Sequence, residues 1–198
     1  MSLERTPFQK FFIFFGIICV LVVAMFVSWM KDQIAFEKME TEAFRVIKTG
    51  KKYENDVYLP QMQVAGPDGK MVNIFDGERY TLLNIWATWC TPCIKEMPAL
   101  RRINRLLAYE DKWRVIAVSI DKSSDMEKVV DFTNRLKVRD FAMFMDVNKQ
   151  VQKNINIKGL PMTLVVNKKG KILYEFYGDV LWTDSNIMLF LRHMDLAR

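Results

Sequence analysis

The chain has 198 residues, 51% hydrophobic and 26% charged, with 29 Lys and Arg against 23 Asp and Glu for a formal net charge of +6. That length suits one ordinary domain. Eight Gly and six Pro without a low-complexity tract exclude a disordered or fibrous chain, and three Cys are too few for a disulfide-stapled scaffold. Basic residues are scattered among acidic ones with no stripe interleaved with aromatics, so nucleic-acid binding is not expected and the charges read as solvated surface.

In chain order, residues 11–30 come first as an apolar run without one charged side chain. At about 1.5 Å per helical residue they reach the roughly 30 Å of a bilayer core, which predicts a single transmembrane anchor. A cleavable signal peptide would carry a shorter run, of about 7 to 15 residues, before a small-x-small site that Phe26-Val27-Ser28-Trp29 does not supply. Cys19 lacks the small residues a lipoprotein site needs directly before it, and reads as a membrane-facing apolar side chain. Arg5 and Lys10 lie in the short tail of residues 1–10, which predicts a cytoplasmic tail and an exported domain.

Residues 31–52 follow as a stalk or linker. Ile34, Phe36, Met39, Ala43, Val46 and Ile47 recur among charges as a weakly amphipathic helix, with Gly50 placed to end it. Residues 53–198 then alternate strand and helix patterns. A leading hairpin is expected from residues 57–65 and 71–75 across Gly66-Pro67-Asp68-Gly69. Buried strands are expected at 80–87 and 113–120, joined by a helix at 91–108, a strand-helix-strand unit. Ser124 and Glu127 suggest a capping box for a helix to about residue 136, before a short strand at 141–145. A short helix at 147–154, a hairpin of 162–166 with 172–177 and a helix at 183–194 complete an α/β domain with a mixed sheet.

The chemistry is concentrated in Trp89-Cys90-Thr91-Pro92-Cys93, where a strand ends and a helix begins. Unpaired N–H groups and the positive end of the helix dipole favour a thiolate there, so the first Cys gains reactivity and the second is placed to attack it. Zinc would need four ligands, and the one His, His193, lies about a hundred residues away. No metal site is therefore expected. A purely structural disulfide would close a very small loop and constrain the unfolded chain little.

Residues 84–93 (NIWATWCTPC), followed by Glu96-Met97-Pro98-Ala99-Leu100, resemble the active-site signature of the thioredoxin superfamily in its membrane-anchored TlpA/ResA/CcmG branch. The resemblance covers about residues 55–195. Pro98 matches the proline that kinks the corresponding helix. Gly159-Leu160-Pro161-Met162-Thr163 stands where the family carries a cis-proline facing the CxxC, which implies a cis bond before Pro161. The stretch of residues 178–182 (GDVLW) resembles a TlpA-type ending. Asn84 stands where thioredoxin has a buried Asp, and residues 124–145 fit the central insertion of the TlpA type. The resemblance thus implies a thioredoxin fold: a central mixed sheet flanked by helices, with an N-terminal β-hairpin and a central insertion, preceded by one transmembrane helix.

By the same resemblance Cys90 and Cys93 are the catalytic pair, and Trp89, Thr91, Pro92, Leu160 and Pro161 form the substrate-binding platform. The Leu160 backbone is expected to pair with an incoming segment by strand-like contact. Trp86 is expected in the core. Lys95 and Glu96 are candidates for tuning the thiolate, with two solvated helix residues as the plainer interpretation. His193 reads as structural. Oxidants and isomerases of the superfamily typically place His between the cysteines, where Thr91-Pro92 offers no charge, so a moderately reducing couple is expected. No cofactor beyond the redox-active pair is called for.

The implied protein is a reductase of the bacterial inner membrane facing the periplasm. Its implied clients are apocytochrome c or a copper chaperone or oxidase subunit, and a membrane thiol-electron donor is needed to reset it in an oxidising compartment. An oxidase or isomerase using the same cysteines, and a Cu(I)-holding assembly factor using the soft thiolates, are the alternatives.

Overall fold

In a computed structural model the chain is described at residues 7–47, 50–108, 111–136, 142–178 and 180–194. Most of the predicted tail, Phe141 and Asp179 lie outside the described residues. Helix α1 runs without interruption from Pro7–Val46. Among the described residues it is the one helix long and apolar enough to cross a membrane, and its apolar window is wholly exposed. Its later half belongs to the domain, because Ala43 and Ile47 are buried, Phe36 stacks on Phe190 at 6.0 Å and Phe44 meets the same ring edge-on at 6.5 Å.

Eight strands form one sheet: β1 Gly50–Lys52, β2 Gln63–Ala65, β3 Met71–Asn73, β4 Tyr80–Trp86, β5 Trp113–Ser119, β6 Ala142–Met145, β7 Met162–Val166 and β8 Ile172–Tyr177. Their order is β1-β8-β7-β4-β5-β6-β2-β3, with β4, β5 and β6 parallel and the remaining pairs antiparallel. All seven β4 residues are buried, as a central strand covered on both faces requires. Helices α2 Thr91–Ala108, α3 Met126–Arg135, α4 Gln150–Asn154 and α5 Ser185–His193 complete the fold. One core cluster joins α1, α2 and α5 through Leu100, Ile103, Trp182 and Phe190. A second, around Leu83, Ile85, Ile116 and Leu164, fills the other face with Val151 of α4.

Several local expectations shift. Residues 50–52, counted with the stalk in the sequence, form edge strand β1, with Lys51 opposite Glu175. Residues 57–59 do not extend the first hairpin. Pro60 lacks the N–H a ladder needs, and the stretch instead bonds the turn before β8, with Ile172 N–H donating to Val57 O and Leu59 N–H to Gly170 O. The capping box does not form: a 3-10 turn, Ser123–Asp125, intervenes, and α3 begins at Met126 without a side-chain cap. Helix α5 starts two residues later than expected because Asp184 caps it, accepting from Asn186 N–H at 2.8 Å. The β7–β8 turn is closed by the Asn167 side chain, which accepts from the N–H groups of Lys169 and Lys171, with Gly170 at φ 84°.

Candidate active site

Parallel pairing of β4 with β5 and antiparallel pairing with β7 hold the carboxyl end of β4 at one pole of the sheet. The chain leaves Trp86, turns through Ala87 to Trp89, and starts α2 directly after Cys90. Cys90 and Cys93 are joined in a disulfide with Cα atoms 5.3 Å apart. Cys93 N–H donates to Cys90 Sγ at 3.3 Å. A donor at the helix start aimed at this sulfur stabilises negative charge on it once the pair is reduced. Cys90 keeps a 5% exposure while Cys93 is fully enclosed, so Cys90 is the sulfur open to attack. Cys19, the third cysteine, is free and exposed on α1.

The platform residues surround this pair. Ile85 pairs with Met162, which sets the Leu160-Pro161 bond beside the CxxC loop, and that bond is cis. Pro161 O is anchored by Gly178 N–H at 2.9 Å. Thr91 and Pro92 are exposed and Leu160 is half-buried. Trp89 is 69% exposed, whereas Trp86 is fully buried against Phe132.

The two tuning candidates separate. Lys95 points to solvent, but Glu96, far from being solvated, is only 2% exposed. Its Oε1 accepts from Asn84 Nδ2 at 2.8 Å and its Oε2 from Trp182 Nε1 at 3.2 Å. Asn84 Nδ2 also donates to Thr163 Oγ1 at 3.0 Å, tying β4 to β7. The pattern held a signal, since position 96 lies on the stripe of Cys93, Met97, Leu100 and Ile103 at helical spacing. Asn84 Oδ1 and Trp86 Nε1 are buried without a protein hydrogen-bond partner, the kind of incomplete polar satisfaction that functional sites retain.

Asp121, which the sequence reading passed over, sits at the carboxyl end of β5. It accepts from Thr88 N–H at 2.8 Å, Thr88 Oγ1 at 2.7 Å and Ser119 Oγ at 2.6 Å. It therefore fixes the turn that delivers Cys90. The visible hint was a carboxylate directly following a buried strand. His193 lies apart, its Nδ1 2.9 Å from Leu189 O one turn back on α5. Among the described residues no group of three or more His, Cys, Asp or Glu side chains gathers as metal ligands would.

A thioredoxin-type sheet with a helix-start CxxC disulfide beside a cis-proline loop defines a thiol-disulfide oxidoreductase. Residues 57–175 match the AhpC/TSA family, to which the chain belongs. It is 31% identical over 114 residues to the thioredoxin-like protein YneN of Bacillus subtilis, covering 57% of this chain and 65% of that one. It is 27% identical over 167 residues to the thiol-disulfide oxidoreductase ResA of Bacillus cereus, covering 83% and 87%. Its fold matches that of a secreted thiol-disulfide isomerase from Corynebacterium glutamicum with a TM-score of 0.62 at 20% identity, over 74% of this chain and 92% of that one.

Proposed function

We propose that the chain is a membrane-anchored thiol-disulfide reductase whose domain works outside the cytoplasm, with Cys90 as nucleophile and Cys93 as resolving thiol. The observation that carries this is the disulfide at the start of α2, with the Cys93 N–H on Cys90 Sγ and no imidazole between the cysteines. The Cys90 thiolate attacks one sulfur of a client disulfide, forming a mixed disulfide and releasing the other client sulfur as a thiolate that takes up a proton. Cys93, deprotonated, then attacks Cys90 Sγ, forming the Cys90–Cys93 bond and releasing the second client thiol. Two electrons pass to the client, and a thiol donor returns two to the enzyme. Trp89, Thr91, Pro92, Leu160 and cis-Pro161 form the surface on which the client segment lies, and Glu96 is the buried group placed to tune the pair. No further cofactor takes part.

Residues 11–30 anchor the chain in a bacterial inner membrane with the domain in the periplasm. Apocytochrome c cysteines or a copper chaperone or oxidase subunit are the client class, and a membrane thiol-electron transporter is the donor. The test is the reduction potential of the full chain in nanodiscs, by equilibration with glutathione. A value of about −230 mV or lower supports a reductase. A value above about −180 mV overturns it in favour of an oxidant.

A further inference from the structure

A carboxylate stands inside the sheet at a position where a covered strand ordinarily carries an apolar side chain. Glu175, in the middle of β8, is paired with Leu164 of β7 on one side and Lys51 of β1 on the other, and is 3% exposed. A buried carboxylate is costly unless donors surround it. Tyr53 Oη donates to its Oε2, Tyr177 Oη donates to its Oε1, and Lys158 Nζ pairs with Oε1 at 3.5 Å. Burial and the neighbouring carboxylate push the Tyr53 phenol up to about 12, so it remains a donor at neutral pH. Tyr53 is itself fixed, its N–H donating to Leu173 O at 2.9 Å.

Two of these donors stand on β8 or are bonded to it, and the third reaches over from the loop that carries the client platform. Lys158 comes just before Gly159-Leu160 and the cis bond at Pro161. Its side chain is 56% exposed, yet its head folds back over the Tyr177 ring at 5.5 Å. A charge pair with one member buried is screened less than a pair standing in water. The Leu160 side chain rests against both core clusters. Among the described residues, however, no main-chain hydrogen bond ties Lys158, Gly159 or Leu160 to the fold, and a Cβ built on Gly159 would meet nothing within 4 Å. A cavity of about 200 Å³ is lined by Asn156 and Lys158 of the loop and by Met162, Leu164 and Glu175 of the sheet. Close packing, which fixes side chains elsewhere in the sheet, is therefore missing under this stretch. Its open edge is held at one end by Gly178 N–H on Pro161 O at 2.9 Å and at the other by the Lys158–Glu175 pair.

We infer that Glu175 is a positioning residue for client binding: through Lys158 it sets the main-chain edge of residues 158–160 at the height where a client strand pairs with Leu160, and it takes no part in the thiol chemistry. The inference rests on the reading that a client segment pairs with the Leu160 main chain. The substrates it favours are disulfides carried in an extended peptide, and small disulfides without a backbone gain nothing from it. A displacement of the edge by about 1 Å costs a paired substrate up to about a hundredfold in rate, because the bonding groups no longer meet.

The full chain, with Cys19→Ser so that one thiol pair reports, is reduced in nanodiscs and mixed with two oxidised probes. One is a short extended peptide closed by a Cys-x-x-Cys disulfide, and the other is hydroxyethyl disulfide, which has no peptide backbone. Glu175→Gln and Lys158→Met each lower the second-order rate constant with the peptide about fivefold or more and leave that with hydroxyethyl disulfide within about twofold. Lys158→Arg keeps the charge and restores the peptide rate. The double variant loses no more than either single one, since both break the same link. Equal losses on both probes, no loss on the peptide, or losses that add overturn the inference. Should Glu175→Gln unfold the chain, the exposed Lys158 side chain carries the same comparison: a peptide-specific loss in Lys158→Met that Lys158→Arg restores supports the inference, and a loss left unrestored overturns it. A peptide N-methylated around the attacked cysteine, given to the parent chain, separates the two readings. An undiminished rate overturns pairing at Leu160 and the inference with it, whereas a diminished rate beside Glu175 and Lys158 variants that keep pace overturns the Glu175 link alone. These ratios do not depend on the potential of the pair, so the reductase direction can fail while the positioning role stands, and the reverse.

Discussion

The two poles of the sheet handle polar groups in different ways. At the pole carrying Cys90, Glu96, Asn84, Thr163 and Asp121 are all buried and bonded to one another or to the turns that shape the site, and two buried polar atoms stay unmatched. At the opposite pole, where β4 and β5 begin, Tyr80 stacks on Trp113 at 5.0 Å, and Asp76 is held by Arg79 at 2.9 Å and Arg114 at 3.2 Å near the surface. One pole keeps buried, incompletely matched polar groups beside a reactive sulfur. The other fastens strands with a buried aromatic stack and with ion pairs that water can reach. Mutations at the first should change chemistry, and mutations away from it should change stability or orientation.

The largest expected effect lies at the sulfur itself. Cys90→Ser removes the nucleophile and lowers disulfide-reducing turnover by roughly three orders of magnitude or more, with denaturation by urea little changed from that of the reduced protein. Cys93→Ser retains the first attack and accumulates a mixed disulfide, visible by mass spectrometry. Should Cys90→Ser instead unfold the chain while turnover per folded molecule survives, the division between poles fails.

Phe44→Ala tests the other side of the comparison. Phe44 touches Tyr174, Phe176 and Phe190 and is only half-buried, so its loss should cost about 2 kcal/mol, less than that of a fully buried aromatic, read as a lower urea midpoint. The reduction potential should stay put. A potential that moves with Phe44 would couple α1 to the chemistry.

Glu96→Gln keeps the shape but turns an amide N–H2 toward donors from Asn84 and Trp182, at about 1 to 2 kcal/mol. Unlike Phe44→Ala it should also shift the reduction potential and the pH profile of Cys90 alkylation. A stability loss with both unchanged would make Glu96 a structural group only.

The smallest effect is electrostatic and sits at the opposite pole. Burial pushes the Asp76 carboxyl up, but N–H donors from Glu78 and Arg79, the Arg79 side chain and nearby Arg114 outweigh it and hold the pKa at about 2, below the ordinary 3.8. A carboxylate more acidic in the folded state binds fewer protons there than in the unfolded chain, so it stabilises the fold above its ordinary pKa and that stability is lost as pH falls through about 2. Asp76→Asn should flatten the acid limb of the unfolding curve while turnover at neutral pH is retained.

How far the sequence speaks depends on whether a signal is local. The buried runs of β4, β5 and β7 and the helix at Thr91–Ala108 were legible because each carries its own hydrophobic period and turn residues. Gly50–Lys52 has no alternation at all, and is a strand solely because β8 offers an unpaired edge. Ser124 and Glu127 have the spacing of a capping box, yet Asp125 N–H bonds Lys122 O first and moves the helix start. Glu96 looked like one of two charges on a helix until its place on the apolar stripe brought it under Trp182.

The amino-acid order alone determined the membrane-length apolar run, the α/β class and the Cys90/Cys93 pair at a helix start, because chain length, periodicity and nearest neighbours are properties of short segments; the loop at Pro161 was legible only through the resemblance to a known family. Tertiary structure alone decided that α1 is welded to the domain, that Glu96 rather than Lys95 lies inside, and that Asp121 shapes the Cys90 turn. Each of those depends on contacts between residues far apart in the chain, such as Glu40 with Tyr174 and Asn84 with Thr163, whose closeness exists only once the sheet has chosen its strand order.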